Sequence, residues 1–160
     1  DRKEEMHHIA RGLLEAKDAF MLGRGLDYAI LLEGALKLKE VSYIHTEAYA
    51  SGELKHGTIA LITEKTPVVA LVTQERVRDK ELSNIREVQS RGASVVVLVK
   101  DSIDLADADY THVFTLPAMD DVAMAFPASA ALQLLAYYVS MDRGLDVDKP
   151  RNLAKVVTVE

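Results

Sequence analysis

The chain has 160 residues, of which 49% are hydrophobic and 28% are charged, and its formal net charge is -6. This length and composition indicate one globular domain with a single core, and the acidic balance argues against nucleic-acid binding, which needs a basic face. The sequence contains no cysteine, which excludes disulfides and cysteine-based sites, and no apolar run long enough to span a membrane. We therefore expect a cytoplasmic protein without nucleic-acid or membrane partners.

The first part of the chain is predicted to hold two helices with a strand between them. Apolar residues at helical spacing predict an amphipathic helix over 2–17, and the apolar run at 19–22 predicts a buried strand. A second helix is predicted over 27–44. The segment 45–57 that follows is polar and interrupted by Gly52, so we interpret it as a flexible connection.

The second part alternates apolar strands with helices. Continuous apolar runs predict buried strands over 68–72 and 94–99, and a third over 112–116, with helices over 78–91 and 127–142. Strands buried on both faces and alternating with helices are typical of a parallel sheet covered by helices on each side. The predicted fold is a three-layer, doubly wound α/β domain.

The helix predicted over 27–44 carries a narrow ionisable stripe. Glu33, Lys37 and Glu40 fall within a sector of roughly 60° of the helix circumference, between apolar residues on both sides. An ordinary surface helix has a broad polar face, so the narrowness of the stripe favours a pocket wall. An exposed ladder of ion pairs within the helix is the alternative.

His56 lies in the polar segment, between a lysine and a glycine. An imidazole on a flexible segment can reach a ligand and titrate near neutral pH, although a lone loop histidine is more often simply solvated. The other histidines show no metal-ligand spacing with nearby carboxylates, and we predict no metal site. The glycines at 23 and 25 do not continue into a dinucleotide fingerprint, because position 28 is tyrosine, and we predict no cofactor.

The C-terminal tail, DVDKPRNLAKVVTVE, is unusual for a chain end. It carries Arg151 and Lys155 and then a β-branched run, so we expect it to dock on the body and bring Lys155 into a pocket. A partly desolvated lysine has a lowered pKa and becomes a usable amine. A solvated lysine before an edge strand is the alternative. A carboxylate, two lysines and a histidine together suit proton transfer next to a carbonyl.

Three motifs, LGRG at 22–25, LLEGALKLKEVSYIHTEAYASGELKHG at 31–57 and the tail at 146–160, resemble the glutamine–fructose-6-phosphate aminotransferase family. The similarity is to the second of the two sugar-isomerase (SIS) subdomains in the C-terminal half of these enzymes. Between the motifs the chain agrees with the family in pattern only. Thr58 stands where the family usually has proline, and Val156 where serine is common.

The resemblance implies a role for each matching residue. It implies that Glu40 transfers a proton between sugar carbons 1 and 2, and that Lys37 assists at the sugar hydroxyls. It implies that His56 opens the sugar ring in the site of a neighbouring subunit, across the interface of a homodimer. It also implies that Lys155 forms a Schiff base with the ketose. Arg151 and Ala154 of the same tail are expected at the substrate, with Arg151 helping to hold the tail in place.

Two parts of such an enzyme are missing from this sequence. We find neither the Ser/Thr-rich phosphate cradle of the first SIS subdomain nor a glutamine-hydrolysing domain with a cysteine nucleophile. We therefore expect a fragment that acts on fructose 6-phosphate and glucosamine 6-phosphate only as part of a larger enzyme, and that is inactive alone.

Two other functions stay open at this point. The chain could belong to a related sugar-phosphate isomerase or deaminase that shares the subdomain. It could also be a non-catalytic sugar-phosphate-binding module, such as the effector domain of a regulator. The joint presence of Glu40, His56 and Lys155 disfavours the second alternative, because a binding module needs no such set.

Overall fold

Four apolar runs and one more polar segment form a five-stranded parallel sheet at the centre of the protein. The computed structural model describes residues 2–106 and 108–153. The strand order is β2-β1-β3-β4-β5, and every neighbouring pair is parallel. The strands are β1 (Asp18–Gly23), β2 (His45–Ala50), β3 (Pro67–Val72), β4 (Ser94–Lys100) and β5 (His112–Leu116).

Helices cover both faces of this sheet, as the sequence predicted. The helices are α1 (Arg2–Arg11), α2 (Leu26–Ser42), α3 (Arg78–Gln89) and α4 (Ala125–Asp142). Helices α1, α2 and α4 share one apolar core with one face of the sheet, while α3 packs in a second core on the opposite face. The three-layer, doubly wound α/β prediction is confirmed. Within the described ranges, no helix is both long and apolar enough to cross a membrane.

The sequence-based boundaries need three corrections. The segment 45–57 is not a connection throughout, because its first six residues form the edge strand β2. Helix α1 ends at Arg11 rather than at residue 17, since the chain turns at Gly12. Helix α2 ends at Ser42 because Tyr43 adopts a left-handed conformation with φ of 61°.

Arg143, at the end of α4, forms hydrogen bonds with two segments that are far away in sequence. Its guanidinium donates hydrogen bonds to the backbone oxygens of Leu14 at 2.9 Å and Ser42 at 2.8 Å, and also to that of Ala16. These acceptors belong to the α1–β1 connection and to the last residue of α2. One side chain therefore joins three segments at the end of the sheet where the strands begin.

Helices α2 and α4 approach each other closely at a glycine. A side chain at Gly34 would place its Cβ atom 2.7 Å from Cδ1 of Leu132 on α4. The absence of a side chain at Gly34 thus permits this packing. The close contact with α4 fixes the position of α2, the helix that carries Glu33, Lys37 and Glu40.

Candidate functional site

A cleft of about 420 Å³ lies at the C-terminal end of α2, where the tail crosses the helix. Glu40 contributes the acidic group of the cleft, and Arg151 of the tail contributes a cation. The remaining lining comes from the end of α2, the start of β2 and the tail, and consists of Leu36, Lys39, Tyr43, Ile44, His45, Asn152 and Leu153. The structure thus brings two of the predicted residues, Glu40 and Arg151, into one cleft.

The lysine of the predicted stripe lies between its two carboxylates. Lys37 Nζ donates a hydrogen bond to Glu40 Oε2 at 2.7 Å, and it lies 3.5 Å from Glu33 Oε1. The hydrogen bond from the lysine to Glu40 is the main reason that the pKa of Lys37 is raised above its ordinary value. The side chains of Glu40 and Lys37 are 28% and 32% exposed. The ion-pair ladder therefore forms, and its Glu40 end also lines a cleft.

The described part of the tail is docked on α2 through Tyr43. The backbone N–H of Arg151 donates a hydrogen bond to Tyr43 Oη at 2.8 Å, and the Arg151 guanidinium carbon lies 4.1 Å from the centre of the Tyr43 ring. Tyr43 adopts the left-handed conformation that ends α2, so the helix ends at the residue that contacts the tail. Ala154 and Lys155, together with the β-branched run after them, lie outside the described residues.

His56 does not line this cleft. It belongs to a short 3₁₀ turn, Leu54–His56, and its side chain is 69% exposed. Its Nε2 atom lies 4.0 Å from Glu53 Oε2, which is a weak contact between two exposed groups. The imidazole is thus presented to the outside of the domain, separately from the cleft that holds Glu40.

A buried polar cluster lies at the carboxyl ends of β1, β2 and β3. Arg24 and Ser51 lie within the motifs at 22–25 and 31–57, but the sequence assigned no role to any member of the cluster. Seven polar or charged residues from four parts of the chain meet there, namely Arg24, Asp27, Ser51, Thr73, Gln74, Glu81 and Asn84. The sequence feature that could have revealed them is their position, because most of them directly follow a strand or lie on the side of α3 that faces the sheet. In open α/β sheets this edge, beside the point where the strand order reverses, is the usual ligand crevice.

In this protein, a buried carboxylate lies beside that crevice. Asp27, in the first turn of α2, accepts hydrogen bonds from the backbone N–H of Thr73 at 2.8 Å and from the Thr73 hydroxyl. Burial raises the pKa of Asp27, and the hydrogen bonds from Thr73 oppose that rise. A carboxylate of the protein thus lies at the start of α2, where a bound anion would otherwise be stabilised.

Glu81 is the most buried acid of this cluster. Ser51 Oγ donates a hydrogen bond to its Oε1 atom at 2.7 Å. Burial raises the pKa of Glu81 to about 7, although Ser51 and the nearby Arg24 cation act in the opposite direction.

Among the described residues, no group of three or more His, Asp and Glu side chains is arranged to hold a metal ion.

Comparison with known proteins assigns the domain. The SIS domain family matches residues 12–142. A glutamine–fructose-6-phosphate aminotransferase (isomerizing) of Clostridium acetobutylicum is 54% identical over 158 residues, which make up 99% of this chain and 26% of that protein. The chain thus spans about a quarter of the length of this curated relative.

Two solved structures show the same architecture. The C-terminal domain of glucosamine-fructose-6-phosphate aminotransferase from Francisella tularensis has a TM-score of 0.88 and 42% identity, over 92% of this chain and 42% of that one. A glucosamine-6-phosphate deaminase from Thermotoga maritima has a TM-score of 0.76 and 28% identity, over 98% and 46% of the two chains. With its five parallel strands and the family match over 12–142, the chain belongs to the SIS domain family.

Proposed function

We propose that this domain supplies the proton-transferring half of a sugar-phosphate site in a glutamine–fructose-6-phosphate aminotransferase. The observation that carries the proposal is the position of Glu40. Its carboxylate is held by Lys37 at 2.7 Å and lines the cleft beside which the tail docks through Arg151 and Tyr43. The similarity to the Clostridium acetobutylicum aminotransferase over 99% of this chain supports the same assignment.

The chemistry assigns a separate task to each group. Glu40 removes a proton from carbon 1 of the substrate and returns it to carbon 2, so the carboxylate ends the cycle unchanged. Lys37 keeps a positive charge beside Glu40 and contacts the sugar hydroxyls. Lys155, following the docked tail, condenses with the ketose carbonyl to form a Schiff base and releases water. Arg151 and Ala154 bind the substrate, and Arg151 also helps to hold the tail in place.

His56 acts in a different site from the Glu40 of its own chain. Its exposed position outside the cleft supports a role across the interface of a homodimer, where it opens the sugar ring of the neighbouring site. The buried Asp27 carboxylate in the first turn of α2 would repel a phosphate at the carboxyl ends of the strands, which supports a phosphate contact made by another part of the enzyme. The domain alone is then inactive.

The test places this chain in a complete enzyme. We would exchange the matching quarter of the Clostridium acetobutylicum aminotransferase for this chain and measure glucosamine 6-phosphate formation from fructose 6-phosphate and glutamine. The chimera should be active, and Glu40→Gln should lower kcat by roughly 10²-fold or more. Glu64→Gln is the matched control, because this exposed carboxylate does not line the cleft. An active chimera whose Glu40→Gln variant keeps full turnover would contradict the proposal.

A deaminase is the second candidate function. It is favoured by the 28% identity to the Thermotoga maritima glucosamine-6-phosphate deaminase over 98% of this chain. The same chimera distinguishes the two, because an aminotransferase consumes glutamine whereas a deaminase releases ammonia from glucosamine 6-phosphate. Ammonia release without glutamine-dependent synthesis would favour the deaminase.

A further inference from the structure

The segment 51–57, which carries His56, is buried near its beginning and exposed to solvent at its end. Ser51, which directly follows β2, is 1% exposed, and its backbone N–H donates to the oxygen of Gly23 at 3.0 Å. Leu54 is buried in the core shared with α3. His56 and Gly57 are exposed. The imidazole therefore stands on a short segment whose placement depends on the contacts made by residues 51–54.

Glu81 of α3 makes the buried polar contact to this segment, while Lys55 and Glu87 form a longer, more exposed ion pair at 4.0 Å. Its side chain is 2% exposed, and Oε1 accepts the 2.7 Å hydrogen bond from the Ser51 hydroxyl. Its Oε2 atom has no hydrogen-bond partner among the residues that the structure describes, and it lies 3.8 Å from Nε of Arg24. A buried carboxyl group destabilises the fold unless its surroundings compensate for the loss of water. An apolar side chain would fill the same space without this desolvation penalty.

Arg24 makes the second contact to the segment. Its Nη2 atom donates a hydrogen bond to Asn84 Oδ1 on α3 at 2.7 Å. The same atom would lie 2.9 Å from a Cβ atom at Gly52, so the guanidinium packs directly on the backbone of the segment. Glu81, Asn84 and Arg24 thus fix the segment at two adjacent residues, Ser51 and Gly52.

We propose that Glu81 is a positioning residue for His56, acting through Ser51 and through the guanidinium of Arg24 on Gly52. This inference rests on the proposed function, in which the His56 imidazole reaches into a neighbouring site. A general acid or base has to be held at hydrogen-bonding distance from the group it serves. A displacement of about 1 Å can lower turnover on the order of 10²-fold.

The test uses matched substitutions at one position in the active chimera. Glu81→Met removes the acceptor of the Ser51 hydrogen bond but keeps a side chain of similar length, whereas Glu81→Gln keeps an oxygen acceptor. We expect Glu81→Met to lower kcat by roughly 10- to 10²-fold with little change in KM, and Glu81→Gln to restore most of the activity. Lys80→Gln, an exposed position on the same helix, is the control and should match the unsubstituted chimera.

A second measurement reads the anchor directly. Amide hydrogen exchange of residues 54–57 in the 160-residue chain should accelerate in Glu81→Met and return towards the original rate in Glu81→Gln. Arg24→Lys keeps the charge but loses the planar guanidinium, and it should also accelerate exchange there. This variant provides the test if Glu81→Met does not fold.

The outcomes separate the inference from the proposed function. If His56→Ala in the chimera leaves kcat unchanged, the assigned role of His56 fails, and this inference fails with it. If His56→Ala abolishes turnover but folded Glu81→Met keeps full kcat and unchanged exchange at 54–57, only the positioning role of Glu81 is overturned. A loss of stability in Glu81→Met without any change in kcat would likewise overturn it.

Discussion

Arg151 is joined to Tyr43 twice, by a hydrogen bond of 2.8 Å from its backbone N–H to the tyrosine hydroxyl and by its guanidinium stacked 4.1 Å from the ring centre. The two residues are 108 positions apart in sequence, so the contact closes the tail onto the end of α2. It also sets the point from which the chain continues towards Lys155. The tyrosine that ends α2 is thus also the tail's docking point.

Substitution of Tyr43 should release the tail in two steps. Tyr43→Phe removes the hydrogen-bond acceptor but keeps the ring, and Tyr43→Ala removes both contacts, each worth roughly 1 kcal/mol. Since proteolysis follows local opening, trypsin cleavage after Arg151 should accelerate about fivefold in the first variant and further in the second. Tyr137→Ala, an exposed tyrosine on α4, should leave the rate unchanged. Equal cleavage rates in all four proteins would show that Tyr43 does not hold the tail.

The two ion pairs that Lys37 makes with its flanking carboxylates should contribute unequally to stability. Double-mutant cycles on urea unfolding should give a coupling of roughly 0.5 kcal/mol for Lys37 with Glu40, and less for Lys37 with Glu33, whose contact is longer at 3.5 Å. Because the pKa of Lys37 is raised, this stabilisation is complete below its ordinary pKa of 10.5 and is lost as the pH rises through the raised value. Equal couplings for both pairs would contradict the assignment of Glu40 as the main partner.

Packing between α2 and α4 should depend on the absence of a side chain at position 34. Gly34→Ala places a methyl group 2.7 Å from Leu132 Cδ1, and this overpacking should destabilise the protein by roughly 1–3 kcal/mol. Leu132→Val removes part of the obstructing side chain, so the double variant should be more stable than the sum of the single changes predicts. Urea unfolding of the four proteins measures this coupling. Strict additivity would show that the two side chains do not collide.

Glu81 should make the domain less stable as the pH rises towards neutrality. Its pKa is about 7 in the fold against an ordinary 4.5, so between these values the unfolded chain ionises while the folded chain keeps the proton. The free energy of unfolding should fall by roughly 1.4 kcal/mol per pH unit across this range on account of Glu81. The groups around it are Ser51, Asn84, the cation of Arg24 and the carboxyl group of Asp27, whose pKa is also raised.

A glutamine at position 81 cannot ionise, so Glu81→Gln should remove this part of the pH dependence. Thermal or urea unfolding between pH 4.5 and 7 would measure the slope, with Glu64→Gln as a control at an exposed carboxylate. The slope that remains in Glu81→Gln includes the contribution of Asp27. If wild type and Glu81→Gln give parallel curves, the carboxyl group of Glu81 is ionised in the folded protein at these pH values.

The apolar strands, including the edge strand β5, were predictable from sequence, and the edge strand β2 was not. The runs at 68–72 and 94–99 match β3 and β4 within a residue at either end, because a strand buried on both faces has a continuous apolar sequence. Strand β2 lies at the sheet edge and keeps only Thr46 and Ala48 fully inside. Its polar sequence therefore concealed it, and the alternation of these two residues with more exposed ones was the available signal.

Residue spacing alone predicted the candidate site only where its residues are close in sequence, and the meeting of Glu40 with Arg151 in one cleft was expected from the family resemblance and from the composition of the tail. Helical spacing placed Lys37 and Glu40 side by side, and the hydrogen bond between them confirms that geometry. The polar cluster depends on contacts between residues as far apart as Arg24 and Asn84, which helical or strand spacing does not reveal. One local signal was present, since Glu81 and Asn84 share the buried face of α3 with Ile85.

The three hydrogen bonds of Arg143 have a consequence for synthesis on the ribosome. Its acceptors on Leu14, Ala16 and Ser42 are made 129, 127 and 101 residues earlier in the chain. Contacts of such long sequence separation close late, and domains generally fold as units as they emerge. A nascent chain that stops before Arg143 leaves these three carbonyl groups to water. The first turns of the domain are thus completed only when α4 and Arg143 have left the exit tunnel.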